Sequence, residues 1–396
     1  MLTGSVLAGG VLHPLMERSN PLQNFMKQIW STIGVASRGA AGSGVVLLLL
    51  MIAAGPVQAD PRVQSRGDTT PPAIVVAPKS ITPPAPLAAK RPPATAKINA
   101  EVARTARLSR INAVRSWGYQ LASLSLVAAQ ASPYGMLVVD ATTGLDTGKP
   151  FTRDEVERLK RAPDGSRRLV ISYLSIGESE DYRGYYAKEY EEEEAPDWLM
   201  KENPQWKGNR LIRFCEKGWQ QTILGDENGR NVYSGDEPSP LYRLLELGFD
   251  GVYLDRVDVY GEIAKECPDG ANKMVEFVSK LSAHARKRDP EFLVILQNAE
   301  ELLAHPKMID SIDAIAKESV FYGGDMGQGK NPAAQVQAVI ADLRLAKAAG
   351  RAVFVVDYVN DKARNADAVS RIRAEGFVPY IGPRKLDRLW LPGVQF

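Results

Sequence analysis

The chain of 396 residues is 44% apolar with a formal charge of +2, enough length and apolar content for a sizeable core. The charge is uneven: residues 1–107 hold 11 basic and 4 acidic side chains, which leaves 38 basic and 43 acidic beyond Arg107, a net of −5. That acidic remainder lacks the basic footprint a phosphate backbone requires, so nucleic acid is excluded as the main partner and a neutral or cationic ligand is favoured.

In chain order the first element is a leader. The apolar run GSGVVLLLLMIAA (42–54) has Lys27 and Arg38 before it and Val57-Gln58-Ala59 after it, the layout of a secretory signal with a small-residue cleavage site. The expected cut precedes Asp60, which makes residues 1–59 a signal peptide region and the product secreted or periplasmic. Initiation at Met26 would give a leader of more usual length. The run is shorter than the ~20 residues a spanning helix needs, so a membrane enters only through an uncleaved leader. Residues 60–107, with stretches such as TTPPAIVVAPKSITPPAPLAAKRPPATAK, are rich in Pro and Ala without periodicity and read as a disordered linker.

Residues 108–396 read as one domain in which short apolar runs alternate with amphipathic stretches. The expected strands are 136–140 (MLVVD), 169–173 (LVISY), 210–214 (RLIRF), 251–255 (GVYLD), 293–297 (LVILQ), 314–317 (AIAK), 352–357 (AVFVVD) and 378–381 (VPYI). Between them fall helices over 152–160, opening on an N-cap Thr152 with Glu155 three residues on, and over 219–225, 274–288 and 333–349. Eight β/α units in this length predict an α/β fold, a single (β/α)8 TIM-type barrel, with an open doubly wound sheet as the alternative. No strand is followed by the Gly-rich turn of a dinucleotide-binding unit.

The strand ends are where the sequence departs from core chemistry. GFDGVYLDRVDVY (248–260) passes from a buried-looking run straight into Asp255, Arg256 and Asp258, groups that need water, a partner or a task. Asp140, Ser175, Glu178, Gln297, Asn298, Glu318, Asp357 and Tyr358 end or follow other strands in the same way. In a barrel these positions gather at one face, the catalytic one.

Histidine offers little: His13 lies in the leader, His284 falls mid-helix and His305 precedes Pro306, so neither a His triad nor a His-rich metal centre is supported. No metal and no cofactor is expected. Cys215 and Cys267 are too few for a zinc site; in an exported chain they can form one disulfide, which the sequence leaves open. Carboxylates remain, and two of them flanking a sugar are what glycoside hydrolysis uses. Trp117, Tyr119, Tyr173, Tyr253, Tyr322 and Tyr358 offer flat faces for sugar rings or simply fill the core.

Five motifs, SWGYQL (116–121), YLSIGESEDYR (173–183), GFDGVYLDRVDVY (248–260), LQNAEELL (296–303) and KESVFYG (317–323), together resemble glycoside hydrolase family 114, the endo-α-1,4-polygalactosaminidase family, related to the hydrolase domain of Pel-type exopolysaccharide proteins. The resemblance covers about residues 114–392. It implies a barrel that cleaves α-1,4-linked, partly deacetylated galactosamine polymers, with Asp255 as nucleophile and Glu318 as acid/base. Asp255 is then expected to stay ionised, and Glu318 to hold a proton through burial and neighbouring carboxylates. Asp140, Glu178, Asp258, Asn298 and Asp357, with Trp117, Tyr119, Tyr173, Tyr322 and Tyr358, are the expected substrate contacts, and the partner is a galactosamine-rich polysaccharide bound by a monomer. For Glu178 and Asp258 the structural alternative is pairing with Arg183 and Arg256. The chain departs from the family at Phe214-Cys215 and at Asn298-Ala299, where Asn-Gly is usual. A non-catalytic polysaccharide-binding or matrix-associated barrel is the alternative function.

Overall fold

Parallel strands buried on both faces form the centre of the computed structural model, which describes residues 94–143, 149–187, 190, 195–231, 237–324 and 327–391. The residues read as leader and as linker lie outside the described residues up to residue 93. The first described element, α1 (Ala94–Asn112), begins inside the stretch read as linker. Past Pro92 and Pro93 the sequence has no helix breaker, and two of the helix's arginines find buried acids in the barrel.

Eight parallel strands then follow in one sheet: β1 (Trp117–Gln120), β2 (Met136–Val139), β3 (Leu169–Ser175), β7 (Gly251–Asp255), β8 (Leu293–Gln297), β9 (Ala314–Glu318), β10 (Ala352–Asp357) and β11 (Val378–Ile381). The first and last lie against each other, and Trp117 Nε1 on β1 donates to Val378 O on β11 at 3.1 Å. The predicted (β/α)8 barrel is therefore the fold.

One expected strand is corrected. Residues 209–212 form β6 (Asn209–Ile212), which pairs antiparallel with β4 (Glu178–Glu180) and β5 (Leu199–Glu202) in a separate three-stranded sheet. RLIRF alternates charge with apolar side chains, and such a strand suits a half-exposed antiparallel sheet, not a parallel one covered on both faces. Its place in the barrel belongs to β1, whose four residues WGYQ are all buried. Gly118 makes that possible, because a Cβ there would approach Tyr134 Cδ2 to 2.7 Å. The count stays at eight, so Asp255 and Glu318 remain on the fourth and sixth barrel strands.

The helices between the strands are capped as the sequence suggests. The helix α3 (Arg153–Leu159) follows α2 (Leu126–Ala131) and opens with a capping box between Thr152 and Glu155. Then come α4 (Lys217–Leu224), α5 (Pro240–Leu247), α6 (Gly270–Arg288), α7 (Pro306–Ser311), α8 (Ala333–Ala348) and α9 (Lys362–Ala374). Cys215, just before α4, and Cys267, just before α6, are joined in a disulfide with Cα atoms 6.2 Å apart.

Register decides what the barrel mouth presents. Trp117 pairs with Met136, Tyr119 with Val138, Tyr173 with Tyr253, Gln297 with Ala316, and Glu318 with Val356. With side chains alternating every second residue, one face of the sheet therefore carries Trp117, Tyr119, Tyr173, Tyr253, Phe354 and Tyr380 as filling, and Asp255 and Glu318 near its carboxyl end. Trp117 lies within 5.5–6.5 Å of the Tyr119, Tyr253, Phe354 and Tyr380 rings.

The amino-terminal end is tied by buried charge. Asp313 accepts from Arg107 Nε at 3.0 Å, from Arg286 Nη2 at 2.7 Å and from Val294 N at 2.9 Å. Asp250 likewise accepts from Arg110 Nη2 and Val170 N, both at 2.9 Å. Removing one partner of such a network leaves charge buried without compensation. Asp313→Ala is expected to lower unfolding stability by about 3–5 kcal/mol while leaving activity at low temperature intact, because the site lies at the other end. An unchanged urea midpoint would contradict this.

Candidate active site

Asp255 and Glu318 each end an inner-face strand, and each is held by a tyrosine hydroxyl and an amide. Tyr173 OH donates to Asp255 Oδ2 at 2.7 Å and Arg256 N donates to Oδ1 at 2.7 Å. Tyr358 OH donates to Glu318 Oε1, while Asn298 Nδ2 donates to Oε2 at 3.4 Å and Asn298 Oδ1 accepts from Glu318 N at 3.3 Å. Both carboxyls are half-buried, with Tyr173 and Tyr358 buried around them.

The turns after these strands adopt an uncommon backbone. Arg256 (φ 58°), Asn298 (φ 56°), Ala299 (φ 52°) and Ser319 (φ 52°) are all left-handed without being glycine. Each costs roughly 1–2 kcal/mol relative to the right-handed region, somewhat less for Asn. They follow the fourth, fifth and sixth strands directly, and the reversal aims Arg256 N and the Asn298 side chain back at the two carboxyls.

Burial and the neighbouring charge of Glu318 push the Asp255 carboxyl up to about 7, against the opposing hydrogen bond from Tyr173. The charge of Glu318 is thus one of the causes that oppose ionisation of Asp255. Burial favours a proton on Asp255, where the sequence reading expects a carboxylate that stays ionised. Burial also lifts the Tyr173 and Tyr358 hydroxyls far above their ordinary range, so both remain donors.

The other expected residues divide into groups. Tyr173, Asn298 and Tyr358 touch the pair directly. Asp140 is buried and gripped by Arg183 through Nη1 at 3.1 Å and Nη2 at 2.7 Å, with Thr142 N at 3.0 Å. Glu178 is buried too, accepting from Asn203 at 2.6 Å and Asn209 at 3.0 Å and pairing with Arg256 Nε at 2.9 Å. Glu178 therefore pairs with Arg256 and not Arg183, and both acids brace the side sheet and β2 against the mouth. Asp258 keeps 41% of its side chain exposed, 3.9 Å from Arg256 Nη1.

Four positions sit away from the mouth's surface. Asp357 points to the outer face, where Val320 N donates to it at 2.7 Å and Phe321 N at 3.3 Å. Burial raises its carboxyl to about 7. Tyr322 donates its hydroxyl to Asp367 at 2.6 Å. Trp117 and Tyr119 belong to the barrel filling, and Tyr119 OH reaches Gln297 Oε1 at 3.5 Å.

Sequence reading missed Asn203, Asn209 and Arg384. The asparagines come from the side sheet, 25 and 31 residues from the Glu178 they hold. Arg384 stacks 4.6 Å from the Tyr358 ring centroid and donates to Gly323 O. No local pattern marks any of them. A Cβ at Gly177 would fall 2.0 Å from Arg256 O, so only glycine lets the turn after β3 pass the Asp255 turn.

A cavity of 630 Å3 opens beside Tyr358, lined by Asn360, Arg384, Arg388 and Trp390 among others. A larger one of 1510 Å3 lies under α1 at the amino-terminal end, lined by Arg110, Arg167 and Asp250, among others, and touches neither carboxylate.

The model of glycoside hydrolase family GH114 matches residues 98–391. The chain belongs to that family. An uncharacterized protein of Deinococcus radiodurans is 34% identical over 350 residues, covering 87% of this chain and 97% of its own. Another from Methanocaldococcus jannaschii is 31% identical over 69% of this chain and 79% of its own. The glycoside hydrolase domain of PelA from Pseudomonas aeruginosa superposes with a TM-score of 0.52 at 19% identity, over 69% of this chain and 97% of that domain. At that identity the likeness speaks for the fold, and the family match makes this GH114 chain a glycoside hydrolase.

A carboxyl that titrates near 7 when folded, against about 3.9 in an unfolded chain, binds more proton than its unfolded counterpart between those values. Stability therefore falls as pH rises from about 4 to about 7. Asp255→Asn is expected to gain roughly 1–3 kcal/mol at pH 7.5 and almost nothing at pH 3.5. Denaturant titrations of both proteins at both pH values measure this, and equal gains would remove charge burial as the cause.

Proposed function

We propose that this GH114 chain is an exported hydrolase of α-1,4-linked, galactosamine-containing exopolysaccharide that acts by retention. The observation that carries the reading is the pair of carboxyls on one barrel mouth, each fixed by a tyrosine and an amide. Retaining hydrolysis needs one carboxylate to attack the anomeric carbon and one carboxylic acid to protonate the departing oxygen. In this reading Asp255 attacks, its oxygens oriented by Tyr173 and Arg256 N. Glu318 protonates the leaving oxygen and later takes a proton from water, steadied by Tyr358 and Asn298.

The net acidity of the chain beyond Arg107 and the exposed Asp258 favour a polymer bearing ammonium groups, since a charge-assisted hydrogen bond is stronger than a neutral one. The retained roles rest on the family resemblance. The raised Asp255 carboxyl favours a second reading in which Asp255 is the acid and Glu318 attacks. Azide separates the two: the alanine variant of the attacking residue yields the glycosyl azide of inverted configuration, and that of the acid/base residue yields the retained one.

Asp255→Asn and Glu318→Gln are each expected to lose roughly 10²–10⁴-fold in kcat with folding intact. Release of reducing ends from a galactosamine polymer measures it; no release by the parent protein would return the barrel to the non-catalytic binding module. Because Asp255 must be ionised to attack and burial lifts its carboxyl to about 7, kcat/KM is expected to rise as pH rises through about 7 in the first reading and to fall in the second, where Asp255 is the acid. A pH profile flat from about 5 to about 9 would contradict both.

Export is supported by the 42–54 apolar run and by the disulfide, a bond that persists in oxidising compartments. The expected mature protein begins at Asp60, which intact mass and amino-terminal sequencing of secreted material would read. A product retaining residues 1–59 would replace secretion by anchoring.

A further inference from the structure

The turn after Glu318 is closed by Asn331, which lies 12 residues beyond Ser319. Ser319 itself is left-handed (φ 52°), a conformation a non-glycine residue keeps only where its surroundings impose it. Its amide donates to Val356 O at 2.8 Å. Beyond it the chain turns back: Tyr322 pairs antiparallel with Lys330, and Gly323 N donates to Gly329 O at 3.1 Å. That return brings Asn331 against the start of the turn. Its Nδ2 donates to Ser319 O at 2.6 Å and to Val320 O at 3.0 Å, and its Oδ1 accepts from Gly324 N at 2.9 Å. Its own amide donates to Phe321 O at 2.9 Å.

Two side chains thus divide the turn between them. Asp357 takes its amides, Val320 N at 2.7 Å and Phe321 N at 3.3 Å, and Asn331 takes its carbonyls. A side-chain amide suits that place because it offers two donors and an acceptor at once, whereas a carboxylate would set its charge against two carbonyl oxygens. Asn331 stands next to Pro332, the N-cap of α8 (Ala333–Ala348), and Asp357 ends β10, so the turn is referred to two regular elements. Glu318 takes its place from both. The residue after Asp357, Tyr358, bonds the Glu318 carboxyl itself.

We propose that Asn331 is a positioning residue for hydrolysis: by holding Ser319 O, Val320 O and Gly324 N it keeps the left-handed turn that aims the Glu318 carboxyl at the sugar, and it touches neither the sugar nor Asp255. The inference rests on the reading of Glu318 as a reacting group and adds what fixes that group in place. Displacing a reacting group by about 1 Å costs on the order of 10²-fold in rate, so release of the turn is read in kcat and not in substrate binding.

Asn331→Ala and Asn331→Asp in the full chain would be assayed on a galactosamine polymer and on an oligomeric α-galactosaminyl fluoride, whose leaving group departs without a proton. Each variant is expected to lose roughly 10–100-fold in kcat on the polymer with KM within about twofold. Each is also expected to show the same dependence on leaving group as Glu318→Gln. The aspartate keeps the size and the acceptor and loses both donors, so its loss assigns the effect to the bonds on Ser319 O and Val320 O. Amide hydrogen exchange read by NMR locates the change. In both variants Val320, Phe321 and Gly324 should exchange roughly tenfold faster or more, while the barrel strands keep the parent's rates. Unchanged kcat, a leaving-group dependence unlike that of Glu318→Gln, or faster exchange through all the strands would overturn the positioning role. If the parent cleaves neither substrate, the hydrolase reading fails by itself, and the exchange pattern still decides whether Asn331 holds the turn.

Discussion

Holding the Asp255 carboxyl half-buried within reach of the charge of Glu318 is the constraint around which much of the barrel mouth is organised. Asp255 and Glu318 are each given a phenol and an amide donor, which replace water at the price of a fixed geometry. The donors have to come from somewhere close. Tyr173 stands on the neighbouring strand, Tyr358 one residue past the end of β10, and the amides in turns whose backbone is bent into the left-handed region. Strain after three successive strands is thus the local cost of directing those groups inward.

The same end of the molecule is held from outside by a second set of charges. Arg183 spans Asp140 and Glu180, and Arg256 spans Glu178 and Glu262, so both cations bridge barrel to side sheet or turn. Glu178 sits on β4 and Asp140 just beyond β2, so these acids set the walls where Asp255 and Glu318 form the floor. At the opposite end Asp250 and Asp313 fasten α1 and the strand starts. Aspartate is thus an anchor at the amino-terminal pole, whereas at the mouth Asp140 is bound by Arg183 and Asp255 stands half-buried near Glu318.

Much of this was legible in the sequence, and the exceptions have physical reasons. Runs such as VILQ and FVVD announce covered parallel strands by their lack of alternation, and the polar residue at each end announces the mouth. WGYQ escaped because its burial is conferred by neighbours: Gly118 is there to admit Tyr134, and Trp117 and Tyr119 are there to fill a cylinder that exists only when eight strands meet. RLIRF looked like barrel because its apolar centre was weighed above its charged flanks. Asp357 ends its strand as Asp255 does, yet it stands an odd number of residues from Phe354 and so faces outward, a parity that only register assigns. Arg384 and Asn203 had no local signal, since what matters is the partner each meets across the fold.

The covalent link between Cys215 and Cys267 closes a loop of 52 residues that contains α4, α5 and the whole strand carrying Asp255. Tying the ends of such a loop removes conformational freedom from the unfolded chain, worth about 4 kcal/mol by loop-closure entropy. The choice of expression host thereby becomes part of the protein's chemistry. Material made in a reducing cytosol would fold without this staple, and its heat tolerance would understate that of the oxidised molecule.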